Sequence, residues 1–125
     1  MSARLAEGAW GIAATLAMPA LRVLLRRRAD RGKEIADRLP ERWGVDATKR
    51  PAGKLLWLHA ASVGETVSIL PVLAALPPEV TVLLTTGTVT SATLLAQRLP
   101  ALELADRVIH RFAPLDVPGW ATRFL

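Results

Sequence analysis

Apolar and polar positions divide the chain into two regimes. From Gly8 to Leu21 no residue is charged, and with Arg22 admitted the apolar run reaches Leu25, 18 residues in all. A bilayer core asks for about 20 residues of helix. The run is at the short end of a span, so crossing the membrane and lying on it both stay open. Pro19 predicts a kink within it, of a kind membrane helices tolerate. Residues 30–50 mix both charges at helical spacing, which predicts a short exposed helix as far as Leu39. Gly44 reads as a stop, and residues 46–53, with Pro51 and Gly53, read as a polar linker. Beyond it the pattern changes. Short apolar runs at 55–59, 80–85 and 107–112 alternate with helical patterns at 66–75 and 89–98. Strands alternating with helices predict an α/β fold, a Rossmann-like β-α-β-α-β unit with a parallel sheet and right-handed crossovers. The expected strand order is 3-2-1, with 55–59 at one edge. The chain therefore divides into an anchor helix with its basic flank (1–29), a charged helix and linker (30–53), and a partial Rossmann-like domain (54–125).

Two turns carry the candidate chemistry, because open α/β sheets bind ligands outside the carboxyl ends of their strands. The first is His59-Ala60-Ala61-Ser62-Val63-Gly64-Glu65. Its structural reading is a capping box, with Ser62 as N-cap and Glu65 reaching back to the Ser62 backbone N–H. Its functional reading is a general base: the positive end of the helix dipole favours a carboxylate in the first turn, where it can take a proton from a hydroxyl. The two roles are compatible. The second turn, Thr85-Thr86-Gly87-Thr88-Val89-Thr90-Ser91, sets five hydroxyls and a glycine at another helix N-terminus. Free N–H groups there make an anion site, although the pattern is neither G-x-G-x-x-G nor a P-loop. Further on, Asp116 is expected to cap a last helix that has Pro118 in its first turn and an apolar face starting at Trp120 and Phe124.

Charge sharpens this picture. Residues 1–50 hold eleven Lys/Arg against six Asp/Glu, which is all of the net +5, while residues 51–125 balance at five and five. Arg22, Arg26, Arg27, Arg28, Arg31 and Lys33 follow the apolar run, with only Asp30 opposing them. A secretory signal would put its charge first. The order found here points to a membrane surface with anionic head groups, with Arg22, Arg26, Arg27 and Arg28 facing it and Arg22 snorkelling to it. The positive-inside rule puts the remainder on the cytoplasmic side. A nucleic-acid binder would carry its basic stripe on the folded domain. There is no cysteine, and His59 and His110, read as strand-end residues, have no carboxylate spacing beside them that suggests a metal.

Taken in order, these motifs resemble the N-terminal part of the Kdo (3-deoxy-D-manno-octulosonic acid) transferases of lipopolysaccharide synthesis. The apolar anchor, Glu41-Arg42-Trp43-Gly44, the His59–Glu65 turn, Leu70-Pro71, the threonine turn, Pro114-Leu115-Asp116-Val117-Pro118 and Arg123-Phe124-Leu125 carry the resemblance. Val89 stands where the family usually has proline. The resemblance implies part of the N-terminal, acceptor-side domain of a two-domain GT-B glycosyltransferase at the inner membrane. Such an enzyme moves Kdo from CMP-Kdo to a lipid A precursor with inversion, without metal or other cofactor. It further implies Glu65 as the general base, with Ser62, Gly64, Thr86, Gly87 and Thr88 lining the substrate site. The donor-binding domain lies in a part of the family's chains that these residues do not cover, so the segment is expected to be inactive alone. A small membrane-anchored α/β binding module, with Glu65 only a cap, is the alternative.

Overall fold

In the computed structural model, which describes residues 3–46 and 48–125, the chain is α/β and divides into two compact units, Met1–Asp46 with Pro114–Leu125 and Ala47–Ala113. Met1 and Ser2 of the expected anchor and Ala47 of the expected linker lie outside the described residues. The last helix, which the sequence assigned to the sheet domain, groups with the N-terminal helices instead.

In the first unit the apolar run forms two helices, α1 (Ala3–Leu16) and α2 (Met18–Asp30), bent by 60°. Pro19 sits in the first turn of α2. It has no N–H for the Thr15 carbonyl, and its ring crowds the preceding turn, so the helix breaks just before it. No single helix among the described residues is long and apolar enough to cross a membrane, though the bent pair together has the length and composition. Arg22, Arg26, Arg27 and Arg28 belong to α2, and Arg31 and Lys33 follow its end. The charged helix expected up to Leu39 is instead a turn, one 3₁₀ turn (Ala36–Arg38) and α3 (Leu39–Arg42). Gly32 explains the early stop: at φ +73 it closes α2, with its N–H on Ala29 O and the Lys33 N–H on Arg28 O. Gly44 closes α3 in the same way at φ +72 through Glu41 O and Pro40 O. Both are Schellman motifs, which favour glycine at this position.

The last helix, α6 (Pro118–Phe124), follows Val117, not Asp116, as its N-cap. Asp116 Oδ2 accepts the Trp10 indole N–H at 2.9 Å instead. Ala14, Val117 and Trp120 form this unit's core, with Met18, Leu21, Trp43 and Leu115 packed against it. Glu34 and Arg42, both nearly buried, pair at 3.2 Å, and Arg28 Nε reaches Glu34 at 3.4 Å. Arg22 does not snorkel. Its guanidinium lies over the Trp43 and Trp120 rings, 5.0 and 5.9 Å from their centroids, a cation–π arrangement. Arg26 and Arg27 are exposed, as are Leu5, Trp10, Ile12 and Leu16 of α1.

The second unit holds β1 (Leu55–Ala60), α4 (Val63–Ala75), β2 (Thr81–Thr86), α5 (Val89–Ala101) and β3 (Val108–Phe112). The sheet is parallel in the order β1-β2-β3, with Leu55 opposite Thr81 and Val82 opposite Val108. The expected order is met, with β1 at an edge. Ala60, Val82, Leu84 and Val108 on one sheet face form a core with Leu70 and Leu73 of α4 and Leu95 and Leu99 of α5. Arg107 donates to Leu73 O, Leu76 O and Pro77 O at 2.8 to 3.2 Å. A cation on the last carbonyls suits the negative end of the helix dipole, and it ties the end of α4 to the start of β3.

Candidate active site

The site grows out of the two places where a strand of the second unit hands over to a helix. Ser62, in extended conformation, is the N-cap of α4, so the helix begins at Val63, three residues before the periodicity suggested. Its Oγ accepts the Glu65 N–H at 3.1 Å. The Glu65 carboxylate completes the cap differently from expectation: Oε2 accepts the Ala61 N–H at 2.6 Å, one residue beyond the Ser62 N–H. Oε1 has no partner among the described residues, and the side chain is exposed. One oxygen is thus fixed by a charge-assisted bond and the other is open to a ligand. Gly64 is exposed, and a side chain there would approach only Ser62 Oγ, at 3.8 Å. Ser62, Gly64 and Glu65 therefore share one open helix turn.

Thr88 caps α5 in the same manner, its Oγ1 accepting the Ser91 N–H at 3.2 Å. Gly87 stands against the first turn: a Cβ built on it would lie 3.7 Å from Ala61 O. Ala61 is the residue whose N–H holds Glu65, so the two turns meet there. Thr88 is exposed and Gly87 half-buried. Thr86 is fully buried, and its hydroxyl bonds His110 Nε2 at 2.8 Å. Its side chain faces the interior of the unit and leaves Gly87 and Thr88 as the accessible part of this turn.

The histidines take structural partners. His59 Nδ1 lies 2.9 Å from Thr85 Oγ1, which also accepts the Trp57 indole N–H at 3.0 Å. His110 is in the middle of β3, not at its end, with its ring edge-on to Phe112. Among the described residues no three His, Asp or Glu side chains are grouped as metal ligands would be. Sequence reasoning named Ser91 in the threonine turn but missed Thr66 and the contact between them: both are buried, and their hydroxyls lie 3.2 Å apart between the two turns. Thr66 sits one helical turn after Ser62 and donates to its carbonyl at 2.8 Å, but no local spacing announces its partner 25 residues away.

Residues 37–125 match the sequence model of a family described as 3-deoxy-D-manno-octulosonic-acid transferase (kdotransferase). The chain belongs to the Kdo transferase family. It is 38% identical over 110 residues to a probable mitochondrial 3-deoxy-D-manno-octulosonic acid transferase of Arabidopsis thaliana, covering 86% of this chain and 24% of that protein. It is 33% identical to the Rickettsia bellii 3-deoxy-D-manno-octulosonic acid transferase, over 81% of this chain and 24% of the relative. The Haemophilus influenzae enzyme of the same name is 34% identical over 70% of this chain and 20% of its own length. The chain thus spans about a quarter of the length of the Kdo transferases it matches. No solved structure matches it. The matched span contains both turns and the Trp43–Gly44 closure of α3.

Proposed function

We propose that this chain is the acceptor-side part of a GT-B glycosyltransferase that moves Kdo from CMP-Kdo to a hydroxyl of a lipid A precursor. Glu65 is the general base. As the acceptor oxygen bonds to the anomeric carbon of Kdo from the face opposite CMP, its proton passes to the Glu65 carboxylate, the bond from carbon to the CMP oxygen breaks, and CMP leaves with the electron pair. Inversion follows from that in-line geometry. General-base assistance of this kind contributes typically about 10²- to 10⁴-fold. The observation that carries the reading is the Glu65 carboxylate itself: exposed, held at Oε2 by Ala61 and open at Oε1. Ser62 and Gly64 shape the acceptor side of the turn, and Gly87 and Thr88 the neighbouring edge. The reaction needs no resident metal or cofactor.

The acceptor is a lipid, and the first unit suits a membrane surface on the cytoplasmic side of the inner membrane. At 14 residues α1 is about 21 Å long, short of the roughly 30 Å hydrocarbon core. Its exposed Leu5, Ile12 and Leu16 match acyl chains, and Arg26, Arg27 and the outer part of Arg28 match anionic head groups. The 60° bend favours a helix pair that lies in the interface.

One specific observation favours a second reading. The Ser62 and Ala61 bonds to Glu65 are a complete helix cap, as a binding module without catalysis would have. The test is transfer by a protein that carries this segment with the remaining three quarters its relatives possess. Radiolabelled CMP-Kdo and a lipid A precursor should yield labelled glycolipid and free CMP. Tight binding of the lipid with no labelled product would establish the binding module instead.

A further inference from the structure

Four hydrogen bonds join the two turns through the interior of the second unit. Thr88 Oγ1 lies 3.0 Å from Ser91 Oγ, Ser91 Oγ 3.2 Å from Thr66 Oγ1, and Thr66 Oγ1 2.8 Å from Ser62 O, while the Ser91 N–H bonds back to Thr88 Oγ1. Thr66 and Ser91 are at most 1% exposed. Each hydroxyl owns one proton, so the proton order is forced. The Ser62 carbonyl can only accept, hence Thr66 donates to it. Ser91 must then donate to Thr66, and Thr88 to Ser91. The line runs in one direction, from the exposed cap of α5 to the backbone of the cap of α4.

We propose that Thr66 and Ser91 are positioning residues for Glu65, and that their line of hydroxyls turns the Thr88 proton inward so that this edge accepts a hydrogen bond from a ligand hydroxyl. The proposal rests on the reading of Glu65 as the base. Ser62 is the origin of both effects: its carbonyl ends the hydroxyl line, and its side chain holds the Glu65 N–H. A shift of α5 is therefore passed to the turn whose Ala61 N–H orients the carboxylate. Thr88 Oγ1 already donates to Ser91 and accepts from its N–H, so the lone pair left to it accepts only. The Glu65 carboxylate is also acceptor-only when ionised. The Glu65 carboxylate and the Thr88 lone pair are then matched to a ligand that brings hydroxyl donors, as a sugar does.

The experiment uses the complete transferase with Ser91→Ala, Ser91→Thr, Thr66→Val and Thr66→Ser. Ser91→Ala and Thr66→Val should lower kcat about ten-fold with the KM for donor unchanged, and Ser91→Thr and Thr66→Ser should restore most of it. A purely structural role would lower the melting temperature and leave kcat per folded molecule intact, which would overturn the proposal. Glu65→Gln, run beside them, separates the two claims. If it abolishes transfer while Ser91→Ala and Thr66→Val turn over like the wild type, the positioning role fails and the base reading stands. Amide hydrogen exchange supplies a readout independent of transfer. Ser91→Ala, a change on α5, should speed exchange in residues 61–66 at least five-fold, and unchanged exchange there would overturn the coupling even if the base reading failed.

Discussion

Gly32 and Gly44 offer a matched pair. Each closes a helix as a Schellman motif, at φ +73 and +72, and both belong to the first unit. They differ in their surroundings. A Cβ on Gly32 would meet nothing within 4 Å, whereas one on Gly44 would lie 1.9 Å from Trp120 O and 2.9 Å from its carbonyl carbon. Real Cβ atoms keep at least 3.0 Å, so α6 would have to retreat by about 1.1 Å, and a backbone carbonyl cannot rotate aside as a side chain can. Gly32→Ala meets only the left-handed backbone penalty, about 1 kcal/mol. Gly44→Ala meets that penalty and an overpacking cost of about 1–3 kcal/mol, so about 3 kcal/mol in total. Urea unfolding of the detergent-solubilised protein, followed by tryptophan fluorescence, compares the two directly, because Trp43 and Trp120 flank Gly44. Gly44→Ala should be the worse by about 2 kcal/mol. Equal losses, within about 0.5 kcal/mol, would refute the close approach of Gly44 to α6.

Other substitutions probe the remaining parts. Glu34→Leu should cost about 3–5 kcal/mol, because it removes a carboxylate that pairs with the Arg42 guanidinium in a buried position, and Glu34→Leu with Arg42→Met should recover most of the loss; a denaturant series on the single and double variants reads both. Ser62→Ala should lose about 1 kcal/mol, the usual value of an N-cap, with a modest loss of rate, checked by melting temperature and turnover. Arg26→Ala with Arg27→Ala should weaken binding to phosphatidylserine vesicles by about 2 kcal/mol, roughly thirty-fold, and leave binding to neutral vesicles unchanged. Equal loss on both vesicle types would deny the arginines a head-group role.

The second unit was the more legible part of the sequence, because its signals are local. Apolar runs bounded by turns found all three strands to within a residue or so, and Ser62 and Thr88 announced their helices by hydroxyls set before apolar patterns. Two of the failures depended on partners far away in the chain. Asp116 looks like an N-cap in its own neighbourhood, but Trp10 claims its carboxylate. Arg22 looks like a snorkelling cation, but Trp43 and Trp120 take its guanidinium. Charge spacing over residues 30–39 argued for a helix, and the left-handed turn at Gly32 overrides it. Of the candidate site, Glu65, Ser62, Gly64, Gly87 and Thr88 stand in the two open turns. Thr86 was named from the same string of threonines, but alternation along β2 turns it inward to His110. The Thr66–Ser91 contact joins residues 25 apart and no sequence spacing shows it.

The central claim is that Glu65 takes the acceptor proton, and Glu65→Gln in the complete transferase tests it most directly. The Gln carbonyl can still accept the Ala61 N–H, and the Glu65 N–H bond to Ser62 is untouched, so the cap survives. What the substitution removes is the capacity to accept a proton. Turnover with saturating CMP-Kdo and lipid A precursor should fall about 10²- to 10⁴-fold, with melting temperature and donor affinity unchanged. Turnover near the wild-type rate at the same melting temperature would contradict the account and leave Glu65 as a helix cap alone.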